Sequence, residues 1–195
     1  LDLGGLAELT PAQYDALPPI QWPVAANGRG TARIFSDGTF ATPDGRAKFI
    51  PIAQRSAINA PTDAWPILLN TGRIRDQWHT MTRTGLVARL SSHISEPYAE
   101  VNPADANALG ITHNGLVQIE SQHGAAIVRA VVTDRISSGT AFAPIHWSDE
   151  NSSAGRVGAL VHAIVDNISG QPDMKATPVR LSPVDGRYTG YVLSV

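Results

Sequence analysis

The clearest alternation of apolar and polar positions lies between residues 115 and 134. Val117 and Ile119 alternate with Gln118 and Glu120, a Gln-His-Gly turn follows, and an apolar return runs through Val128 to Val132. Two-residue periodicity on both sides of a glycine turn predicts an antiparallel hairpin. The apolar run Ile67-Leu68-Leu69, ending at Asn70, predicts a buried strand. "SSGTAFAPIHW" predicts another strand after a Ser-Gly turn, and "ATPVRLSPV" a last one in which Pro178 suits an edge or a strand start. In "EPYAEVNPADANALGI" a strand gives way to a helix with its punctuation in place. Asn102 is the N-cap, Pro103 opens the first turn, Asp105 sits near the N-terminus and Gly110 lies beyond the C-terminus. Short strands, one hairpin and inserted helices predict a mainly β fold, a small closed barrel rather than a doubly wound sheet.

Residues 1–64 carry a different pattern. "LTPAQYDALPPIQWP" predicts a short helix capped by Thr10, with Pro11 at its first position and an end at Pro18-Pro19. "GTARIFSDGTFATPDGRAKFIPI" holds two turn signals, Asp37-Gly38 and Asp44-Gly45, between strand-like pieces. Apolar residues are too sparse here to bury a core, so this segment reads as an arm or linker, closed by "APTDAWP". The domain proper runs over 65–182, and 183–195 forms a C-terminal extension or linker.

Composition changes this picture little. The chain has 195 residues, with 17 Gly and 14 Pro, which suits many short elements joined by turns. A formal net charge of −2 leaves no basic field for a nucleic-acid backbone. No apolar run approaches a membrane span. Cysteine is absent, which removes disulfides, thiolate metal sites, iron–sulfur ligation and a thiol nucleophile. The chain opens at Leu1 with no signal pattern and reads as though cut from something longer.

Most candidate chemistry fails on context. The six histidines show no HExxH and no tight ligand pair, and His113 and His123 read as solvated turn residues. "LSSHIS" and "ENSSAG" lack the G-x-S-x-G elbow, and "NGRGTAR" neither follows a strand nor opens a helix. "NTGRIRDQWHTMTR" differs. A Thr-Gly step after a buried strand lets backbone N–H groups approach an anion. Arg73 adds a planar fork, Thr71, Thr80 and Thr82 add hydroxyls, Trp78 and His79 add flat faces, and Asp76 can accept from a purine. A polar loop whose Arg and Asp pair with each other, with Trp78 as a core plug, explains the same residues equally well. A second polar stretch, "PIHWSDENSSAGRVGAL", also follows an apolar strand. If both loops meet at one rim, the ligand reading gains.

At these stretches the sequence resembles a known family. "LLNTGRIRDQWHTMTRTG", "EPYAEVNPADANALGI", "GTAFAPIHWSDENSSAGRVGALV" and "VDNISGQPDMKATPVRL" together resemble the C-terminal domain of molybdenum nitrate reductases of the dimethyl-sulfoxide-reductase family, nearest to the assimilatory branch. The arm resembles the segment preceding that domain. The resemblance implies a double-psi β-barrel (aspartate-decarboxylase-like) that binds bis(molybdopterin guanine dinucleotide) molybdenum in the full enzyme, the isolated fragment carrying none. It implies cofactor contacts at Thr71, Gly72, Arg73, Asp76, Gln77, Trp78, His79 and Thr80, then at His146 and Trp147, and at Lys175. Where relatives place Asn, this chain has Gly158, and Arg156 or Ser153 is expected to substitute. It further implies a fragment with no catalytic or metal-ligating residue of its own. The implied partners are the remaining domains of the same polypeptide and an electron-donor protein or NADH-linked subunit, with no nucleic acid and no membrane, in the cytoplasm. The alternatives are the same domain from a formate dehydrogenase or periplasmic nitrate reductase, or a double-psi barrel serving as a protein-interaction module.

Overall fold

A computed structural model describes residues 2–28, 30–54, 56 and 58–186. By contacts the chain divides into two compact units, Leu1–Gln54 and Arg55–Val195.

The second unit is built on six strands: β1 (Ile67–Gly72), β2 (Tyr98–Val101), β3 (Leu116–Glu120), β4 (Ala125–Val132), β5 (Thr140–Pro144) and β6 (Thr177–Pro183). They close into a barrel in the order β1-β5-β2-β4-β3-β6. Two pairs are parallel, β1 with β5 and β2 with β4, and the remaining four are antiparallel. The expected double-psi barrel is therefore present. The hairpin forms as the alternation requires, with Val117 opposite Val128 and Ile119 opposite Ala126. Pro178 sits one residue into β6, opposite Leu68. A closed barrel has no edge, so a strand start is the place left for it.

Side-chain size explains how so small a barrel closes. The buried positions of β5, β2 and β4, which are neighbours, include Ala141, Ala143, Ala99, Ala126 and Ala130. Those of β3, β6 and β1 are larger: Val117, Ile119, Val179, Leu181, Ile67 and Leu69. All belong to one hydrophobic cluster with Val157 and Leu160. Large side chains against small ones let so narrow an interior be filled by side chains.

Helices are short. In α2 (Ala88–Ser91) no side chain caps the N-terminus. In α3 (Pro103–Leu109) the Asn102 side chain accepts from the Ala104 N–H at 2.9 Å, and Gly110 ends the helix in the left-handed region at φ 70°. Asp105 does more than favour the N-terminus, accepting from the Ser138 hydroxyl (2.6 Å) and the Gly139 N–H (2.8 Å). That ties α3 to the turn entering β5.

In the first unit, Thr10 caps α1 (Pro11–Asp15) as expected, and Gln13 completes a capping box; the helix ends earlier than Pro18-Pro19. Gly38 and Gly45 turn the chain at positive φ. The strand-like pieces between them do not form strands: Phe40 N–H closes onto the Gly45 carbonyl at 2.8 Å, a local turn. Val24 is the one buried hydrophobic residue among those described there, consistent with a segment too poor in apolar residues to build a core. The extension at 183–195 falls largely outside the described residues.

Candidate functional site

Parallel pairing of β1 with β5 decides where the two polar loops go. Gly72 stands opposite Pro144, and the Ile145 N–H continues the ladder to the Gly72 carbonyl at 2.9 Å. Both strands thus end at the same rim, and the segments beginning at Arg73 and His146 leave the barrel side by side. The rim is also where residue 175 returns before β6.

Three long-range ties fix this rim. The buried Thr71 hydroxyl donates to the Met174 carbonyl at 2.6 Å. The Lys175 ammonium donates to the Thr71 carbonyl. His146, fully buried, accepts from the Ile74 N–H at its Nε2 (2.9 Å) and donates from Nδ1 to the His79 carbonyl (2.6 Å). One nitrogen accepts while the other donates, so the imidazole is neutral. Burial foremost, and then the positive Arg73, hold its pKa below the ordinary histidine value despite the favourable His79 carbonyl. A cleft of about 490 Å³ opens beside Lys175, lined also by Leu68, Asn70, Ile136 and Thr140.

Beyond Gly72 the loop presents the expected side chains unevenly. Trp78 is 58% exposed, with the Arg73 guanidinium 5.3 Å from its ring centre and the His79 ring edge-on at 4.6 Å. Such a stacked cation presents a flat, positively charged face. Gln77 is buried: its Oε1 accepts from the Thr84 hydroxyl at 2.7 Å, while its Nε2 has no partner. His79 and Met81 adopt positive φ, 45° and 63°, without being glycine. Held conformations of this kind concentrate at ligand sites. Thr80 is exposed, its hydroxyl 3.3 Å from that of Thr82.

Asp76 is already engaged. Arg75 grips its carboxylate through two bonds, at 3.0 and 3.1 Å, and His93 Nδ1 bonds the second oxygen. Those partners, Arg75 foremost, hold its pKa down at about 2. The Arg–Asp pairing weighed from sequence is thus present, but through Arg75, which leaves Arg73 to Trp78.

The second loop contributes less directly. Trp147 is buried next to His146, ring centres 6.4 Å apart. Ser153 is exposed, and Arg156 pairs with Asp149 at 3.2 Å. Around Gly158 an added Cβ would meet nothing within 4 Å, so the backbone leaves room for a side chain there.

Sequence reasoning missed Thr84, His93 and Met174. Nothing local marks them, because their roles arise from chain segments brought together by closure. His113 and His123 are also not merely solvated. The Val132 N–H donates to His113 Nδ1 at 3.1 Å, and His123 Nε2 lies 2.7 Å from His162 Nδ1. Burial first, then the facing His123, lowers the His162 pKa.

Residues 67–178, more than half of the chain, match the model of the family described as "Molydopterin dinucleotide binding domain". The chain belongs to that family. As such a domain it is similar to the nitrate reductase of Klebsiella oxytoca, at 41% identity over 93% of this chain and 20% of the relative. It is also similar to the F420-dependent formate dehydrogenase subunit alpha of Methanocaldococcus jannaschii, at 30% identity over 85% of this chain and 24% of that one. The dinucleotide-binding domain thus spans about a fifth to a quarter of the length of these relatives. In fold it is similar to acetylene hydratase from Pelobacter acetylenicus, with a TM-score of 0.54 over 60% of this chain and 18% of that one, at 16% identity. The expected membership in a molybdenum oxidoreductase family is met, and a molybdopterin dinucleotide is the cofactor that membership implies for the full enzyme. No helix among the described residues is long and apolar enough to cross a membrane.

Proposed function

We propose that this domain clamps the dinucleotide portion of a bis(molybdopterin guanine dinucleotide) molybdenum cofactor, within an enzyme that reduces nitrate to nitrite. The observation that carries the reading is the shared exit of β1 and β5, which brings the Thr71–Thr80 and His146–Arg156 loops to one rim. An interaction module would not need those loops to converge.

The donor set suits such a group. A pyrophosphate calls for donors and positive charge. The rim offers the Arg73 fork, the Lys175 ammonium and the Thr80 hydroxyl. The acidic residue of the loop, Asp76, is offset by the Arg75 guanidinium and further engaged by His93, which weakens its repulsion of an anion. The exposed Trp78 face suits a heterocycle. In this reading Arg73 and Lys175 bind phosphate oxygens, Trp78 orients a ring, and Thr71 and Asp76 hold the loop in shape. When bound, the cofactor supplies the two-electron redox chemistry, and the domain supplies position and electrostatics.

Nitrate is preferred over formate because identity is higher to the named nitrate reductase than to the named formate dehydrogenase. The metal ligand, the iron–sulfur cluster and the electron-donor contact are assigned to other parts of the polypeptide, and the enzyme to the cytoplasm, on the resemblance to the assimilatory branch. The test is Arg73→Ala in the full-length enzyme. Molybdenum content should fall markedly, and unchanged content would remove Arg73 from the clamp.

A further inference from the structure

The His146 ring lies wholly inside the protein, between two points of the neighbouring loop. Its Nε2 faces a backbone N–H, which can only donate, and its Nδ1 faces a carbonyl, which can only accept. One tautomer satisfies both partners: neutral imidazole with the proton on Nδ1. The two partners, Ile74 and His79, bracket the segment that carries Asp76, Gln77 and Trp78. His79 is also the residue whose backbone is left-handed at φ 45°. A non-glycine residue held there costs on the order of 1 kcal/mol or more, and persists only when its surroundings fix it. The bond from Nδ1 is such a constraint.

We infer that His146 is a positioning residue: a buried, neutral imidazole that sets the span from Ile74 to His79 and so holds the loop in its binding shape without itself touching the ligand. The inference rests on the cofactor reading for its functional meaning, though not for its geometry. Protonation would place an N–H against the Ile74 N–H. Burial opposes it, and so do the charged or titratable groups facing the ring, Arg73 and His79. No other charge is needed, because both contacts are to backbone. In the sequence a histidine opens the second loop, and the family resemblance implied direct contact with the cofactor there.

The test uses three forms of the chain: wild type, His146→Phe and His146→Gln. A glutamine carboxamide offers an acceptor oxygen and a donor nitrogen, standing in for the two ring nitrogens, while phenylalanine fills the space and offers neither. In nitrogen-15 spectra of the wild-type chain, the imidazole signal lost in both variants should be that of an Nδ1–H tautomer. The Ile74 amide should exchange slowly in wild type, at least tenfold faster in His146→Phe, and slowly again in His146→Gln. Cofactor retention by the full-length enzyme should follow the same order, with a loss of about tenfold or more for phenylalanine, as for other residues that orient ligand-holding groups. An Nε2–H tautomer would overturn the inference, as would a slowly exchanging Ile74 amide in His146→Phe. If phenylalanine prevents folding, the tautomer and the glutamine rescue still decide. A wild-type enzyme with no dinucleotide would overturn the cofactor reading, while the tautomer and exchange results would continue to judge His146.

Discussion

Gly72 is the residue at which the barrel hands over to the site, and replacing it with alanine tests whether its lack of a side chain is required. An added Cβ would lie 2.7 Å from Phe142 Cε2, 3.3 Å from Phe142 Cζ and 3.9 Å from Lys175 Nζ. Carbon atoms rest at about 3.5–4.0 Å, so the first contact is a true overlap. Phe142 has limited room to retreat, since its ring also packs at a tilt against Tyr98, with centres 6.3 Å apart. Overpacking of this kind costs about 1–3 kcal/mol. Alanine returns about 0.4–1 kcal/mol by restricting the unfolded chain. The net loss is then between nothing and about 2.6 kcal/mol, or a fall in Tm of up to about 10 °C for a chain of this size. Thermal melts followed by circular dichroism measure it. Because the cause is one ring edge, Phe142→Leu should relieve it, so that Gly72→Ala combined with Phe142→Leu is more stable than the two single losses added together. A Tm for Gly72→Ala above wild type would refute the close-approach argument, as would strict additivity in the double variant.

Other consequences are as direct. Thr71→Val keeps the shape but leaves the Met174 carbonyl without its 2.6 Å donor, at a cost of about 1–3 kcal/mol by chemical denaturation, whereas Thr71→Ser should lose much less. Asn102 works twice, its Oδ1 capping α3 and its Nδ2 donating to the Ile136 carbonyl at 2.7 Å. Asn102→Asp should therefore keep the cap and lose the other bond, while Asn102→Ala should cost about 1 kcal/mol more, with cofactor content unchanged in both. Stability should also depend on pH through His146 and His162, whose folded pKa values lie below the 6.5 of the unfolded chain. Below pH 6.5 the unfolded state takes up protons that the folded state refuses. Stability is thus fully present above that point and is lost as pH falls toward the folded values. A flat Tm across that window would contradict the desolvation of the buried His146 ring and the half-buried His162 ring.

Much of the fold was legible because its signals are local. The alternation from Val117 to Val132 leaves one register open to a hairpin with a buried face, and Asn102, Pro103 and Gly110 mark a helix by cap chemistry alone. Where the same cues stood without apolar alternation, at Asp37-Gly38 and Asp44-Gly45, turns formed and strands did not. The site was legible as composition, not as geometry. That Thr71 meets Met174 and His146 meets Ile74 depends on barrel closure, across 103 and 72 residues of chain. Asp76 looked like a ligand for a purine because sequence cannot show that Arg75 and His93 reach it first. The left-handed turns at His79 and Met81 carry no glycine to announce them. At His79 the neighbouring loop holds the turn, through the bond from His146 to the His79 carbonyl.

The central claim is that the rim formed by the two loops holds a guanine dinucleotide of molybdopterin. Acid hydrolysis of the full-length enzyme, followed by assay of molybdenum and of released GMP, tests it most directly. Wild type should release GMP together with molybdenum, and the Arg73→Ala enzyme should show both reduced in step. A molybdenum-containing wild type that releases no guanine nucleotide would contradict the account.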